Sequence, residues 1–223
     1  MRGEPLVVRG PLDTLGIFWP RPDSPDDRIV VAEVWTENVY RVTQGCIGAD
    51  DLVLDLGANV GAFSVLAARL GAQVVAVEPD PRNVETLREN LDANSATERV
   101  RVIEGAVGGG QCAFGSFHGP EHPGGCGQVD PGVGDVPMFP LSGLLPPDAD
   151  AVVKMDVEGG EWAVLATVSD EVLRQVRWLT MEWHAPVPDG ELGRLVQRLS
   201  ETHHVDLIGR PSTGGMLYAD RLP

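Results

Sequence analysis

Residues 53–70 read VLDLGANVGAFSVLAARL. A short apolar run ends in a turn with two glycines, Gly57 and Gly61. Val60, Phe63, Ala67 and Leu70 then recur at helical spacing. Strand, glycine turn and helix make up half of a βαβ unit, and the chain beyond keeps the alternation. QVVAVE (73–78) is a second strand. Pro81 opens a helix with Val84, Leu87 and Leu91 on one stripe; proline suits the first helical position, where no N–H is needed. RVRVIE (99–104), AVVKMDV (151–157) and VRWLTMEWH (176–184) are further strands. Helical patterns cover 160–175 and 189–201, and HVDLIG and GGMLYAD read as two late strands. Alternating strands and helices predict a parallel sheet covered on both faces.

Two regions depart from this rhythm. Residues 1–26, rich in Pro and Asp, read as an irregular cap with one small hairpin; 28–42 reads as a helix with Ile29, Val30, Val34 and Trp35 on one face. Residues 105–150 are dense in Gly and Pro, with room for one or two short strands near 111–117 and 135–140. So long an irregular stretch inside a domain is functional or disordered. Its composition predicts a mobile acceptor lid over 110–134. It also holds Cys112, His118, His122 and Cys126, all zinc-ligand types. Their wide spacing favours incidental residues over a zinc site, and no metal site is assigned.

Composition narrows the partners. The 223 residues are 43% hydrophobic, enough for a core, and carry a formal net charge of −16. Such a surface repels nucleic-acid phosphates and anionic membranes, and tolerates a small neutral or cationic acceptor. Three cysteines are too few for a disulfide framework. No leader pattern is read at the N-terminus, and no apolar run approaches the ~18 residues of a membrane span. The expectation is a cytoplasmic protein with no membrane partner; a homodimer is left open.

In open parallel sheets, ligands sit beyond the carboxyl ends of the strands, where strand order reverses. The turn 57–61 lies there. Glu78, closing the second strand, is the type of group that accepts hydrogen bonds from two neighbouring ribose hydroxyls, so turn and acid together read as a nucleoside site. A dinucleotide would want G-x-G-x-x-G; the chain has D-L-G-A-N-V-G, with Asp55 where a pyrophosphate must approach. S-adenosylmethionine carries a sulfonium and an ammonium group instead of phosphate, and Asp55 favours it over NAD. The bland alternative is a glycine turn that merely saves space.

"LDLGANVGAFS", "AVEPDPRNVETLRENL", "VVKMDVEGGEWAVL" and "MEWH" together resemble the FkbM family of S-adenosylmethionine-dependent methyltransferases, over roughly residues 35–184. The resemblance implies an α/β class I methyltransferase fold, Rossmann-like, with a mostly parallel seven-stranded sheet, helices on both faces and the last strand antiparallel. It implies O-methylation of a small-molecule hydroxyl, of a sugar or other alcohol in a bacterial natural product. Residues 1–45 would then form an N-terminal cap or lid, and 46–223 the methyltransferase domain. Expected cofactor contacts are Asp55, Gly57, Ala58, Asn59 and Gly61 in the turn; Glu78, Pro79 and Asn83 around the end of the second strand; Glu104 and Ala106 at the end of the third; and Asp156.

Methyl transfer to an alcohol needs an aligned acceptor and a base for its proton. Lys154, Asp156 and Glu158 alternate at the end of one strand, Glu182 and His184 at the end of the next. His184 is the expected general base, because an ordinary imidazole titrates near ~6.5, with Asp156 second and Glu182 beside them. Lys154 reads as half of a buried ion pair with Asp156 or Glu158. A divalent cation on Asp156, Glu182 and His184 is a competing, disfavoured arrangement. His203 and His204 read as structural. Alternatives to O-methylation are N-methylation of an amino sugar or peptide, a catalytically silent methyltransferase-fold binding protein, and an NAD-dependent oxidoreductase.

Overall fold

The computed structural model describes residues 4–110, 113–119 and 127–222. An antiparallel hairpin, β1 (Leu6–Arg9) and β2 (Leu15–Phe18), opens the described chain. Helix α1 (Asp26–Ala32) follows and runs into a π-helical turn, Glu33–Glu37. Then come β3 (Leu52–Leu56), α2 (Ala62–Arg69), β4 (Gln73–Glu78), α3 (Pro81–Ala93) and β5 (Val100–Glu104). The region after β5 carries β6 (Ala106–Val107), β7 (Phe114–His118), β8 (Gln128–Pro131), β9 (Val136–Phe139) and the short α4 (Leu141–Leu144). The chain closes with β10 (Ala151–Met155), α5 (Glu161–Thr167), α6 (Asp170–Arg174), β11 (Val176–Trp183), α7 (Glu191–Ser200), β12 (His203–Arg210) and β13 (Gly214–Arg221).

Seven strands form the main sheet in the order β12-β13-β11-β10-β3-β4-β5. β13 runs antiparallel to both its neighbours, and the pairings from β11 to β5 are parallel. This is the seven-stranded arrangement expected, last strand antiparallel. Strand order reverses between β3 and β10, so a crevice opens beyond Leu56 and Met155. β3 is buried on both faces from Val53 to Leu56, as a central parallel strand must be.

Each face of the sheet has its own core. Val53, Phe63, Leu66, Leu87 and Leu91 pack on one side together with Phe18, Val31, Val34, Trp35 and Tyr40 from the N-terminal segment. Leu54, Leu56, Val153, Met155, Leu165, Leu195 and Leu199 fill the other. The N-terminal segment thus shares a core with the sheet. Asn90 of α3 and Asn94, its C-cap, tie β2 and the residue after it to the helix: Asn94 Oδ1 accepts from the Ile17 N–H (2.9 Å) and Asn90 Oδ1 from the Trp19 N–H (2.8 Å). The expected helix at 28–42 ends in the π-helical turn at Glu37, and its apolar face differs. Val31, Val34 and Trp35 are buried, whereas Ile29 is 53% exposed.

The described part of the 105–150 region is more regular than its composition suggests. Its described part forms a four-stranded sheet, β6-β9-β7-β8. Two of these strands match those expected near 111–117 and 135–140; β8 and the two-residue β6 carried no sequence signal. Of the zinc-type residues, Cys112, His122 and Cys126 lie outside the described residues. His118 sits on β7 with Nε2 3.2 Å from Asp130 Oδ2.

Candidate active site

Two cavities meet in the crevice. The larger, about 480 Å³, is bordered by Gly57, Asn59, Glu78, Pro79, Asn83, Ala106, Asp156 and His184, and walled by Gln128–Pro131 of the small sheet. The smaller, about 230 Å³, lies towards the N-terminal segment and is lined by Glu33, Tyr40, Ala58, Lys154 and Glu182 among others. Gly57, Asn59, Asp156 and Glu158 border both.

The glycine turn is shaped by close backbone approach. A Cβ on Gly57 would stand 1.7 Å from the Asp156 carbonyl oxygen, and its φ of +77° lies in the left-handed region. Only glycine meets both conditions. Asn59 also takes a positive φ, 49°. Its N–H donates to Glu78 Oε2 at 2.8 Å, which ties the turn to the end of β4. Glu78 Oε1 accepts from the Asp80 N–H (3.0 Å) and from Asn83 Nδ2 (3.1 Å). Burial pushes the Glu78 carboxyl up to about 7 against the pull of these donors.

Three expected cofactor contacts border neither cavity, and Ala58 borders only the smaller. Asp55 borders neither cavity. It is fully buried, accepts from Ser64 Oγ at 2.6 Å and lies 3.5 Å from Lys154 Nζ. Strand alternation explains this: Asp55 shares the Val53 face of β3, and that face meets α2. Gly61 adopts φ +84° at the start of α2, where an added Cβ would meet Leu87 at 3.0 Å, and it borders neither cavity. Glu104 is exposed and paired with Arg88 at 2.5 Å.

Lys154 is buried at the hub of the turn. It donates to the Gly57 carbonyl at 2.6 Å and lies 3.8 Å from Asp156 Oδ2. Burial works against its charge, but Asp55, Asp156 and Glu78 outweigh it and hold the pKa above the ordinary lysine value. Of the partners expected from sequence, Asp156 lies within ion-pair distance, and Asp55, which was not expected, stands nearer. Asp156 Oδ2 also accepts from the Tyr40 hydroxyl at 2.9 Å; Asp156 Oδ1 is buried and has no hydrogen-bond partner among the described residues.

His184 sits among carboxylates. Its Nδ1 is 3.0 Å from Glu161 Oε1, and its Nε2 is 3.3 Å from Glu158 Oε2 and 3.9 Å from Glu182 Oε1. Glu161 is fully buried and also accepts from the Val157 and Gly159 N–H groups, closing the turn before α5. Burial alone would lower the His184 pKa; Glu161 and Glu158 instead raise it to about 9. The imidazole is thus protonated at neutrality. In that form it has no free ring nitrogen to accept a proton, unlike the unperturbed histidine expected from sequence. Glu182 is raised as well: burial first, then Asp156, lift it to about 7 in spite of His184.

One ligand-type atom from each of Asp156, Glu158 and His184 falls within 4.8 Å of the others. Glu158, rather than the expected Glu182, completes that set. His203, as expected, is structural: it is buried, with Nε2 2.7 Å from the Val176 carbonyl oxygen. Tyr40, Glu33 and the buried role of Glu161 were missed. Tyr40 and Glu33 come from the ambiguous 28–42 segment, which held no catalytic pattern. The acids of K-x-D-V-E-G-x-E contained Glu161, but spacing alone did not reveal that it holds His184.

Known proteins agree with this architecture. The profile described as "Methyltransferase FkbM domain" matches residues 55–208. The chain belongs to the FkbM family of S-adenosylmethionine-dependent methyltransferases. Among solved structures, it is similar to Methyltransferase FkbM from Methylobacillus flagellatus KT, at 19% identity over 77% of this chain and 43% of that one, TM-score 0.49. It also resembles in fold the T. thermophilus 16S rRNA N2 G1207 methyltransferase in complex with AdoMet and guanosine. That match has 18% identity, covers 98% of this chain and 50% of that one, and has a TM-score of 0.50. A ribosomal protein L11 methyltransferase from Chloroflexus aurantiacus is 43% identical over 76 residues, 32% of this chain. The match spans only 23% of that relative's length. No helix among the described residues is long and apolar enough to cross a membrane.

Proposed function

We propose that the protein binds S-adenosylmethionine in the larger cavity and methylates a hydroxyl of a small-molecule acceptor held in the smaller one. The observation that carries this reading is the meeting of the two cavities at Gly57, Asn59, Asp156 and Glu158. A donor on one side and an acceptor on the other would face each other across that border.

The residues of the larger cavity fit the cofactor. Glu78 is a buried acid at its edge, suited to a pair of ribose hydroxyls. Val77, Ala106, Val107 and Met138 give an apolar wall for a flat base. Close backbone packing at Gly57 keeps the turn low beside it. When bound, S-adenosylmethionine supplies an electrophilic methyl group on a positively charged sulfur. The chain's own task is to hold the acceptor in line with it and to take the acceptor's proton.

Glu182 is the proposed base. It lines the smaller cavity, and with its pKa lifted to about 7 it is partly ionised at neutrality yet basic enough to accept a proton. His184, charged and anchored by Glu161, would steady Glu158 and Glu182 and stabilise the ionised base. Asp156 would shape the border between the cavities.

A second reading rests on the lining of the smaller cavity. Asp26, Glu33, Asp156, Glu158 and Glu182 face it, and Lys154 is the one basic residue among its lining residues. That charge suits an acceptor bearing an amino group, either an amino sugar or a basic side chain. Relatives named for ribosomal protein and rRNA substrates make a macromolecular acceptor a fair competitor. The net charge of −16 weighs against RNA.

Calorimetric titration with S-adenosylmethionine and NAD tests the cofactor. Binding of the first and not the second is expected; the reverse would sink the reading. Release of S-adenosylhomocysteine in the presence of polyols, amino sugars or basic peptides then separates the acceptor classes.

A further inference from the structure

Tyr40 reaches the site from a segment that the glycine turn and the strand ends do not include. The loop that carries it is held at three points. Asn38, with φ 52°, accepts from the Val42 N–H at 2.9 Å and donates to the Val42 carbonyl at 3.1 Å. The Tyr218 hydroxyl of β13 donates to the Val39 carbonyl at 2.7 Å. The Tyr40 ring meets Phe63 edge-on, with centroids 5.5 Å apart, and lies 5.3 Å from Lys154 Nζ. Its hydroxyl ends on Asp156 Oδ2, 116 residues away in sequence.

Asp156 is thus fixed through one oxygen, by Tyr40 and more distantly by Lys154. The other oxygen is buried and has no hydrogen-bond partner among the described residues. Lys154 is shared among the Gly57 carbonyl, Asp55 and Asp156. The charged His184 is taken up by Glu161 and Glu158, so the negative charge at the border of the two cavities is incompletely balanced from within the protein. At short range, away from bulk water, such a charge favours a cation. Burial and the Asp156 charge hold the Tyr40 phenol well above its ordinary pKa, so it stays a neutral donor.

We propose that Tyr40 is a positioning residue that holds Asp156 at the cavity border, where its charge makes the protein prefer a positively charged sulfonium ligand to its neutral thioether counterpart. The N-terminal segment thereby takes part in telling S-adenosylmethionine from S-adenosylhomocysteine. Methyl transfer removes the sulfur's positive charge, so the same arrangement loosens the hold on the product. This inference rests on the reading of the larger cavity as the cofactor site.

The test is the ratio of the dissociation constants for S-adenosylhomocysteine and S-adenosylmethionine, measured by calorimetry without any acceptor. The intact protein should bind S-adenosylmethionine more tightly. Asp156→Asn, which removes the charge, should lower the ratio by about tenfold, and Tyr40→Phe by about threefold, as expected for losing a charge and a charge-assisted hydrogen bond. In the double variant the ratio should equal that of Asp156→Asn, because Tyr40 acts only through Asp156. A purely structural Tyr40 would weaken both ligands alike, and an unchanged ratio in Tyr40→Phe would overturn the proposal. Should Tyr40→Phe not fold, an unchanged ratio in Asp156→Asn overturns it equally. No binding of S-adenosylmethionine to the intact protein would instead refute the cofactor reading itself.

Discussion

The two cavities differ in how the chain builds them. The larger is built around three successive connections, β3 to α2, β4 to α3 and β5 to β6, which carry the buried acid Glu78, and is closed by Gln128–Pro131 and by Asp156 and His184. The smaller is assembled across the whole chain, from Glu33 and Tyr40 to Glu182, and is crowded with carboxylates. One is a cradle of fixed backbone that the fold makes with local sequence. The other is an electrostatic environment set by residues far apart. If the comparison holds, damage to the two cavities should separate into different measurements.

The largest effect should come from the acceptor side. Glu182→Gln should reduce turnover by ~10²–10⁴, the usual worth of a positioned acid–base group. Affinity for S-adenosylmethionine should stay within about twofold, because Glu182 borders only the smaller cavity. In the intact enzyme the rate should rise with pH through about 7, where Glu182 loses its proton, and the variant should lack that limb. Near-normal turnover in Glu182→Gln would remove the base and blur the division between the cavities.

Gly57→Ala attacks the border itself. The new methyl would meet the Asp156 backbone oxygen at 1.7 Å, and neither partner is a flexible side-chain end. Overpacking together with a left-handed conformation should cost about 2–4 kcal/mol of folding stability. Denaturant titration would measure it, and both binding and turnover should suffer. A stable, active Gly57→Ala protein would mean that β3 and β10 can part at their ends without loss.

On the cofactor side, Glu78→Ala should weaken S-adenosylmethionine binding by ~1.5–3 kcal/mol, the range for a lost charge-assisted hydrogen bond. Calorimetry would read it directly. Unchanged affinity would show that the larger cavity holds its ligand by other means.

The sequence made the cofactor half legible because that half is local. A strand ending in D-L-G-A-N and a second ending in an acid place Gly57, Asn59 and Glu78 together by topology alone, and the sheet then follows from the alternation. Asp55 misled for an equally local reason. Its motif position suggested a ligand contact, but the two-residue period of β3 turns it towards Ser64 on α2, where it anchors Lys154. His184 misled differently: its place at the end of β11 was right, but a histidine's pKa depends on neighbours, and Glu161 and Glu158 come from another element. Tyr40 was invisible because nothing in RIVVAEVWTENVYRV ties residue 40 to residue 156. The β8 strand lay hidden in a Gly- and Pro-rich stretch, where side-chain periodicity is weak.

The smallest expected effect sharpens the comparison by pH. In the folded, ligand-free chain burial lifts Glu78 to about 7, whereas an unfolded glutamate loses its proton near ~4.3. Between those values the folded state binds more protons than the unfolded one. The contribution of Glu78 to stability therefore falls as pH rises through this window, and levels off above about 7. Ligand binding runs in the opposite sense. A carboxylate accepting ribose hydroxyls must be ionised, so below about 7 binding has to expel a proton. Affinity for S-adenosylmethionine should then improve by at most about tenfold per pH unit from 6 towards 7, and flatten above. Calorimetry in buffers of different ionisation enthalpy would register proton release at pH 6 and little at pH 8. Glu78→Ala should lose that component, while Glu182→Gln, altered only in the smaller cavity, should keep it. Equal loss in both variants would mean that the two cavities titrate as one unit, and that the separation drawn from their linings does not extend to their chemistry.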